Sequence, residues 1–141
     1  MTFKLIRTSL VLISLVCTAP AFAQNAEAID KATEVAQIWL SLVDNGQYSQ
    51  SWDLAATPFQ AGVSSSAWDS VIQKTRALFG PMKKRTLAAS KYMTTLPGAP
   101  DGEYVVLQYQ SQFEHKANAV ETITPMKDRD GTWKVAGYFI K

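Results

Sequence analysis

A single histidine and a single cysteine in 141 residues remove much of the usual vocabulary of catalysis. Cys17 lies in a segment expected to be cleaved off. The remaining chain would then have no thiol, which excludes cysteine-ligated metals, thiol catalysis and internal disulfides. No H-x-x-x-H pair, nucleophile elbow or phosphate loop is present, and the residues suggest neither a metal site nor a cofactor. Long apolar runs are also missing. The best, Leu10 to Cys17, is far short of the ~20 residues that span a bilayer. Nor does either sign of charge dominate. The chain has 14 basic and 12 acidic residues, and loss of Lys4 and Arg7 would leave it formally neutral. That gives no ground for nucleic-acid binding.

The N-terminus has a recognisable plan. Lys4 and Arg7 precede the apolar stretch, and Ala21-Phe22-Ala23 forms an A-x-A pattern. Residues 1–23 are therefore expected to be a signal peptide, cut near Ala23. The product, residues 24–141, would be periplasmic or secreted, with no transmembrane anchor after cleavage. Its length fits one domain with one core.

Residues 24–28 are small and polar, and a loose start is expected there. From Ile29, apolar residues recur at helical spacing through Ala32, Ala36, Trp39, Leu40 and Val43. Asp44-Asn45-Gly46 supplies a stop. A short helix through Tyr48 and Trp52 should be ended by Pro58. Ser64–Ser66 offer N-caps for a third helix, with Trp68, Val71, Ile72, Thr75, Leu78 and Phe79 as its buried face. After Gly80-Pro81 the period becomes two. Four strands are expected, at residues 85–95, 103–114, 119–126 and 132–140, joined by short turns. Helices first and a meander after predict an α+β domain: N-terminal helices on one face of a four-stranded antiparallel sheet. In the second strand Val105, Leu107, Tyr109 and Phe113 share one face; Gln108, Gln110, Gln112 and Glu114 share the other.

Several blocks are similar to a known family. They are Trp39-Leu40-x-Leu-Val-Asp-x-Gly-x-Tyr, Ser51-Trp52, Leu96-Pro-Gly-Ala-Pro-Asp-Gly-Glu-Tyr-Val-Val-Leu-Gln-Tyr, Ala119-Val-Glu-Thr-Ile-Thr and Trp133-Lys-Val-Ala-Gly-Tyr-Phe-Ile. Together they resemble the bacterial domain-of-unknown-function 4019 family, from about Ala36 to the C-terminus. That resemblance implies no activity, cofactor or catalytic residue. The layout is also similar to nuclear-transport-factor-2-like and cystatin-like domains, in which helices cross a curved sheet and often enclose a pocket. Likeness of layout does not carry function.

The residues lead to a non-enzymatic binding domain of the periplasm. Its partner would be an envelope protein or a small apolar ligand, and the domain itself a monomer or weak homodimer. Tyr48, Trp52, Tyr109 and Phe113 are candidates to line a pocket between helices and sheet. Other aromatics, including Trp39, Phe59, Trp68, Trp133 and Phe139, are expected in the core. The alternative is a small pocket enzyme, hydrolase- or isomerase-like, with Glu121 or His115 as general base. His115 ends a strand beside a turn, where a surface role is expected. Glu121 is expected to face outward, because a lone buried carboxylate is costly; facing inward it would need a partner. Lys74, Arg76, Lys83, Lys84, Arg85 and Lys91 read as a solvated basic face, or as a docking patch for an acidic partner. Gly137, by strict alternation with Val135 and Phe139, should face the helices beneath a large side chain, or mark a bulge. In the first case Gly137→Val would cost roughly 1–3 kcal/mol by overpacking.

Overall fold

The computed structural model describes residues 21–141. The expected signal segment lies largely outside that range. Four helices precede four strands: α1 (Ala21–Asp44), α2 (Tyr48–Asp53), α3 (Thr57–Gly62), α4 (Ser65–Phe79), β1 (Met82–Met93), β2 (Tyr104–Phe113), β3 (Lys116–Lys127) and β4 (Trp133–Ile140). The strands form one antiparallel sheet in sequence order. The domain is α+β, with the helices on one face of the meander.

α1 is the main covering element and touches every strand. Ala32, Ala36, Trp39, Leu40 and Val43 are fully buried. The alanines let one half of the helix approach the sheet closely, and the larger residues fill the space under the other half. Residues 24–28, expected to be loose, belong to this helix. Its end is a Schellman motif. Gly46 takes φ 73°, and the Gln47 and Gly46 amides reach back to the Leu42 and Val43 carbonyls. Only glycine adopts that φ without strain.

Pro58 begins a helix instead of ending one. It occupies the first turn of α3, where a missing amide hydrogen costs nothing. The residue before α3, Ala56, has no capping side chain. Asp128 supplies the cap from the β3–β4 turn, accepting from the Thr57 amide at 3.0 Å and hydroxyl at 2.9 Å. Burial alone would raise the Asp128 carboxyl. The donors Thr57 and Arg129, with Lys134, outweigh it and hold the group below its ordinary range.

α4 starts where expected, with Ser64 capping the Ala67 amide. Its buried face is rotated from the expected one. Trp68, Ile72 and Arg76 are buried at successive i+4 positions, whereas Val71 and Leu78 are exposed. Trp68 and Ile72 thus sit where their period predicts, but the stripe that packs continues through an arginine.

The strand pairings shift register at four points, two in β1–β2 and one each in β2–β3 and β3–β4, and two of these decide which residues face the helices. On β1 the register changes between Leu87 and Ala89, so Arg85 and Leu87 pair with Ser111 and Tyr109, while Ser90 and Tyr92 pair with Leu107 and Val105. On β4 one extra residue lies between Val135 and Gly137, opposite Pro125 and Thr124. Such a bulge reverses the alternation beyond it. Val135 and Tyr138 face the helices; Gly137 and Phe139 face away, and Phe139 is 60% exposed. Gly137 therefore does not lie beneath a helix residue: a side chain there would meet only Thr124, at 3.8 Å. The bulge also accommodates Pro125, which has no amide hydrogen to donate to a ladder.

The space between α1 and the sheet is filled. Trp39 packs against Trp68 and Tyr138, with ring centroids 5.5 and 5.4 Å away, and Phe59 closes on Trp68 at 5.1 Å. Buried Ser51 serves both indoles. Its carbonyl accepts from Trp39 at 2.7 Å and its hydroxyl from Trp68 at 3.0 Å. Burying two tryptophans thus leaves no indole N–H of the pair unsatisfied.

Two expectations follow. Gly137→Val should leave the urea midpoint of unfolding within about 0.5 kcal/mol of wild type, because the position is an open outer-face site; a loss of 1–3 kcal/mol would place it in the core. Asp128→Ala should cost about 0.5–2 kcal/mol at pH 7, the range for a lost helix cap. Because the folded carboxyl titrates below the unfolded one, its contribution is present above about pH 4 and fades as pH falls through the lowered folded value. Urea melts of both proteins between pH 7 and pH 2.5 should converge at the acid end.

Candidate functional site

Glu121, expected on the outer face, is inward and fully buried. Its neighbours on β3, Ala119 and Ile123, share that face and are buried too. Its partners come from three other strands. Arg85 of β1 donates twice, Nε to Oε2 at 2.6 Å and Nη2 to Oε1 at 2.9 Å. Ser111 of β2 donates to Oε2, and Tyr138 of β4 to Oε1 at 2.6 Å. Arg85 also holds Asp44, at the last residue of α1, through Nη1 at 2.7 Å and Nη2 at 3.0 Å. Arg76 of α4 completes the set with a 2.7 Å contact to Asp44 and a 3.8 Å approach to Glu121. Its guanidinium lies 4.6 Å over the Phe113 ring.

Two carboxylates thus face two guanidiniums, and the cluster is formally neutral. Burial works against the charge on Arg85, but hydrogen bonds to Asp44 and Glu121 prevail and raise it. Burial, then the Glu121 carboxylate, push the Tyr138 hydroxyl far above the usual phenol range, so it remains a donor. Each Glu121 oxygen accepts two hydrogen bonds and neither meets solvent. A general base needs a free lone pair within reach of a substrate proton. In this arrangement all the acceptor positions of Glu121 are engaged by the chain's own donors.

The expected basic surface loses its two arginines to the same arrangement, while Lys74, Lys83, Lys84 and Lys91 stay exposed. Arg76 and Arg85 point inward to acidic partners of their own chain, and Lys83 pairs with Glu114 at 3.0 Å. Sequence reasoning missed Asp44, Arg76, Arg85, Ser111 and Tyr138 as one group. The available signal was the place of Arg76 four residues beyond Ile72 on the buried stripe. The other four require the strand registers.

The remaining candidates do not converge on one pocket. Tyr48 and His115 border an open depression of about 510 Å³ on one side of Asp44. Tyr109 borders another, of about 330 Å³, on the other side. Phe113 lies under Arg76 and against Phe79, and Trp52 donates to the Val63 carbonyl at 2.7 Å. His115 is exposed in the β2–β3 turn, against Gly80, and no carboxylate orients its ring among the described residues. Arg76 Nη1 and the Tyr109 hydroxyl are buried without a hydrogen-bond partner, but the walls beside them are occupied by the ion pairs. No group of described residues is arranged to hold a metal ion, and no described helix is long and apolar enough to cross a membrane.

A third depression differs in character. It is a groove of about 410 Å³ between α1, the end of α2 and the start of β4, walled by Val35, Ile38, Trp39, Leu54 and Trp133. Ile38 and Leu54 are each more than half exposed. Asp53 and Lys134 stand at its rim. Here large apolar side chains meet solvent around a concave surface, which is the usual character of a small-molecule site.

The ion cluster carries a direct test. Glu121→Ala should cost about 3–5 kcal/mol, because it strands a buried guanidinium, and Arg85→Ala should cost a similar amount by stranding the carboxylate. The double substitution Arg85→Met with Glu121→Leu should recover much of either loss. Urea denaturation of wild type, Arg85→Met, Glu121→Leu and the double gives the coupling; additive losses would mean that the two groups do not depend on each other.

Comparison with curated proteins finds no match, and neither does comparison with solved structures. A family model described as "Protein of unknown function (DUF4019)" matches residues 35–138. The matched span runs from the groove-lining Val35 to Tyr138, and includes every member of the ion cluster. The chain belongs to the DUF4019 family.

Proposed function

We propose that this chain is an exported, non-enzymatic binding domain of the cell envelope, and that a small apolar ligand occupies the groove between α1 and β4. The groove carries this reading. Its volume of about 410 Å³ falls in the range of small-molecule sites, and Ile38 and Leu54 remain exposed beside it. The charged side chains that an enzyme would use are, by contrast, bound to one another at Glu121 and Asp44. The signal-like N-terminus supports export.

The test has two parts. Protein recovered from the envelope fraction should begin at Gln24 on N-terminal sequencing; a chain starting at Met1 and confined to the cytosol would overturn export. Small neutral aromatic compounds, beginning with 2-phenylethanol, should raise the thermal midpoint and change tryptophan emission. The stabilisation should approach about 2.7 kcal/mol at a hundredfold excess over Kd. Ile38→Asp should abolish both responses without unfolding the domain. A panel that leaves the wild-type midpoint and emission unchanged would sink the ligand reading.

A further inference from the structure

We infer that the occupant of the α1–β4 groove carries a cationic group beside its apolar body, with Asp53 as the counter-charge. The inference rests on the groove being the ligand site, and extends it to the class of ligand. Asp53 is exposed at the last residue of α2. Its carboxylate makes no ion pair or hydrogen bond among the described residues. A carboxylate in that position without a partner is an open half of an ion pair.

The other rim does not offset it. Lys134 borders the groove, but its ammonium is held by Asp130 at 2.7 Å and Asp128 at 3.5 Å. Hydrogen bonding to Lys134 and to Thr132 holds the Asp130 carboxyl well below its ordinary range, so that pairing persists at neutral pH. Lys134 therefore offers its methylene stem to the groove. Asp53, Asp128 and Asp130 stand against this one ammonium, and the side chain of Arg129 in the same turn is exposed and makes no ion pair among the described residues. An anionic ligand would meet Asp53 with no free ammonium from Lys134 to receive it. An ammonium would meet the Asp53 carboxylate at the edge of an apolar groove.

Three probes of one shape separate the possibilities: 2-phenylethylammonium, 2-phenylethanol and 3-phenylpropanoate. Binding is read by tryptophan emission and calorimetry on the full exported protein, and on Asp53→Asn and Ile38→Asp. The ammonium should bind about two- to fivefold more tightly than the alcohol, as expected from an exposed ion pair, and the propanoate most weakly. Asp53→Asn should remove most of that preference, since it deletes the pair's carboxylate, and leave the alcohol unchanged. Ile38→Asp should abolish binding of the alcohol. Equal binding of ammonium and alcohol to wild type would overturn the cation inference and leave the groove reading standing. An ammonium preference that survives Asp53→Asn would overturn the role of Asp53. If none of the three binds, the groove reading fails and the inference with it.

Discussion

A carboxylate with no contact to water, in the middle of a sheet, must be matched from within the protein. Glu121 imposes that condition here, and most of the fold answers it. β1 supplies Arg85, β2 Ser111, β4 Tyr138. α1 and α4 supply Asp44 and Arg76, which complete the charge balance. Removing one partner from such a set costs more than the set contributes over an apolar core of the same volume. Its value lies in demanding one arrangement. A one-residue slip of β1 or β4 would turn Arg85 or Tyr138 to the solvent face and leave the carboxylate short of donors.

The sequence made some of this fold legible. Alternation in β2 placed Leu107, Tyr109 and Phe113 under the helices and the glutamines outside, as found. Gly46 and Ser64 marked the end of α1 and the start of α4. These signals are local: a turn or a cap is decided by a few consecutive residues. The failures were of another kind. Val71 and Leu78 are apolar and periodic, yet α4 presents Arg76 inward because Asp44 and Phe113 are there to receive it. Those partners lie 32 and 37 positions away in the chain, and no window along α4 contains them.

The bulges explain the rest. Counting by twos along β4 puts Gly137 and Phe139 inside and Tyr138 outside; the extra residue after Val135 reverses all three. The site was hidden by similar means. The aromatic residues taken for pocket walls are largely engaged by the core or by the ion cluster. The centre is filled by Leu40, Leu107 and Ile123. Open apolar surface remains at the margin, where α2 ends short of β4. That margin is created by the packing of separated segments, which composition does not report.

The sheet is open and has two borders, β1 and β4. β1 forms one border. It is irregular at two points and carries Lys83, Lys84 and Lys91, features that discourage another strand from zipping alongside. At the other border, the Val135 carbonyl is taken by the Ala56 amide at 2.8 Å, beside a short bridge from Ala55. Neither side offers a long, straight, unclaimed ladder. A second chain would find little to extend, so growth of this sheet by strand exchange is disfavoured at both borders. Crowded copies of a domain with no disulfide to hold it would then be kept from polymerising by the shape of its own borders.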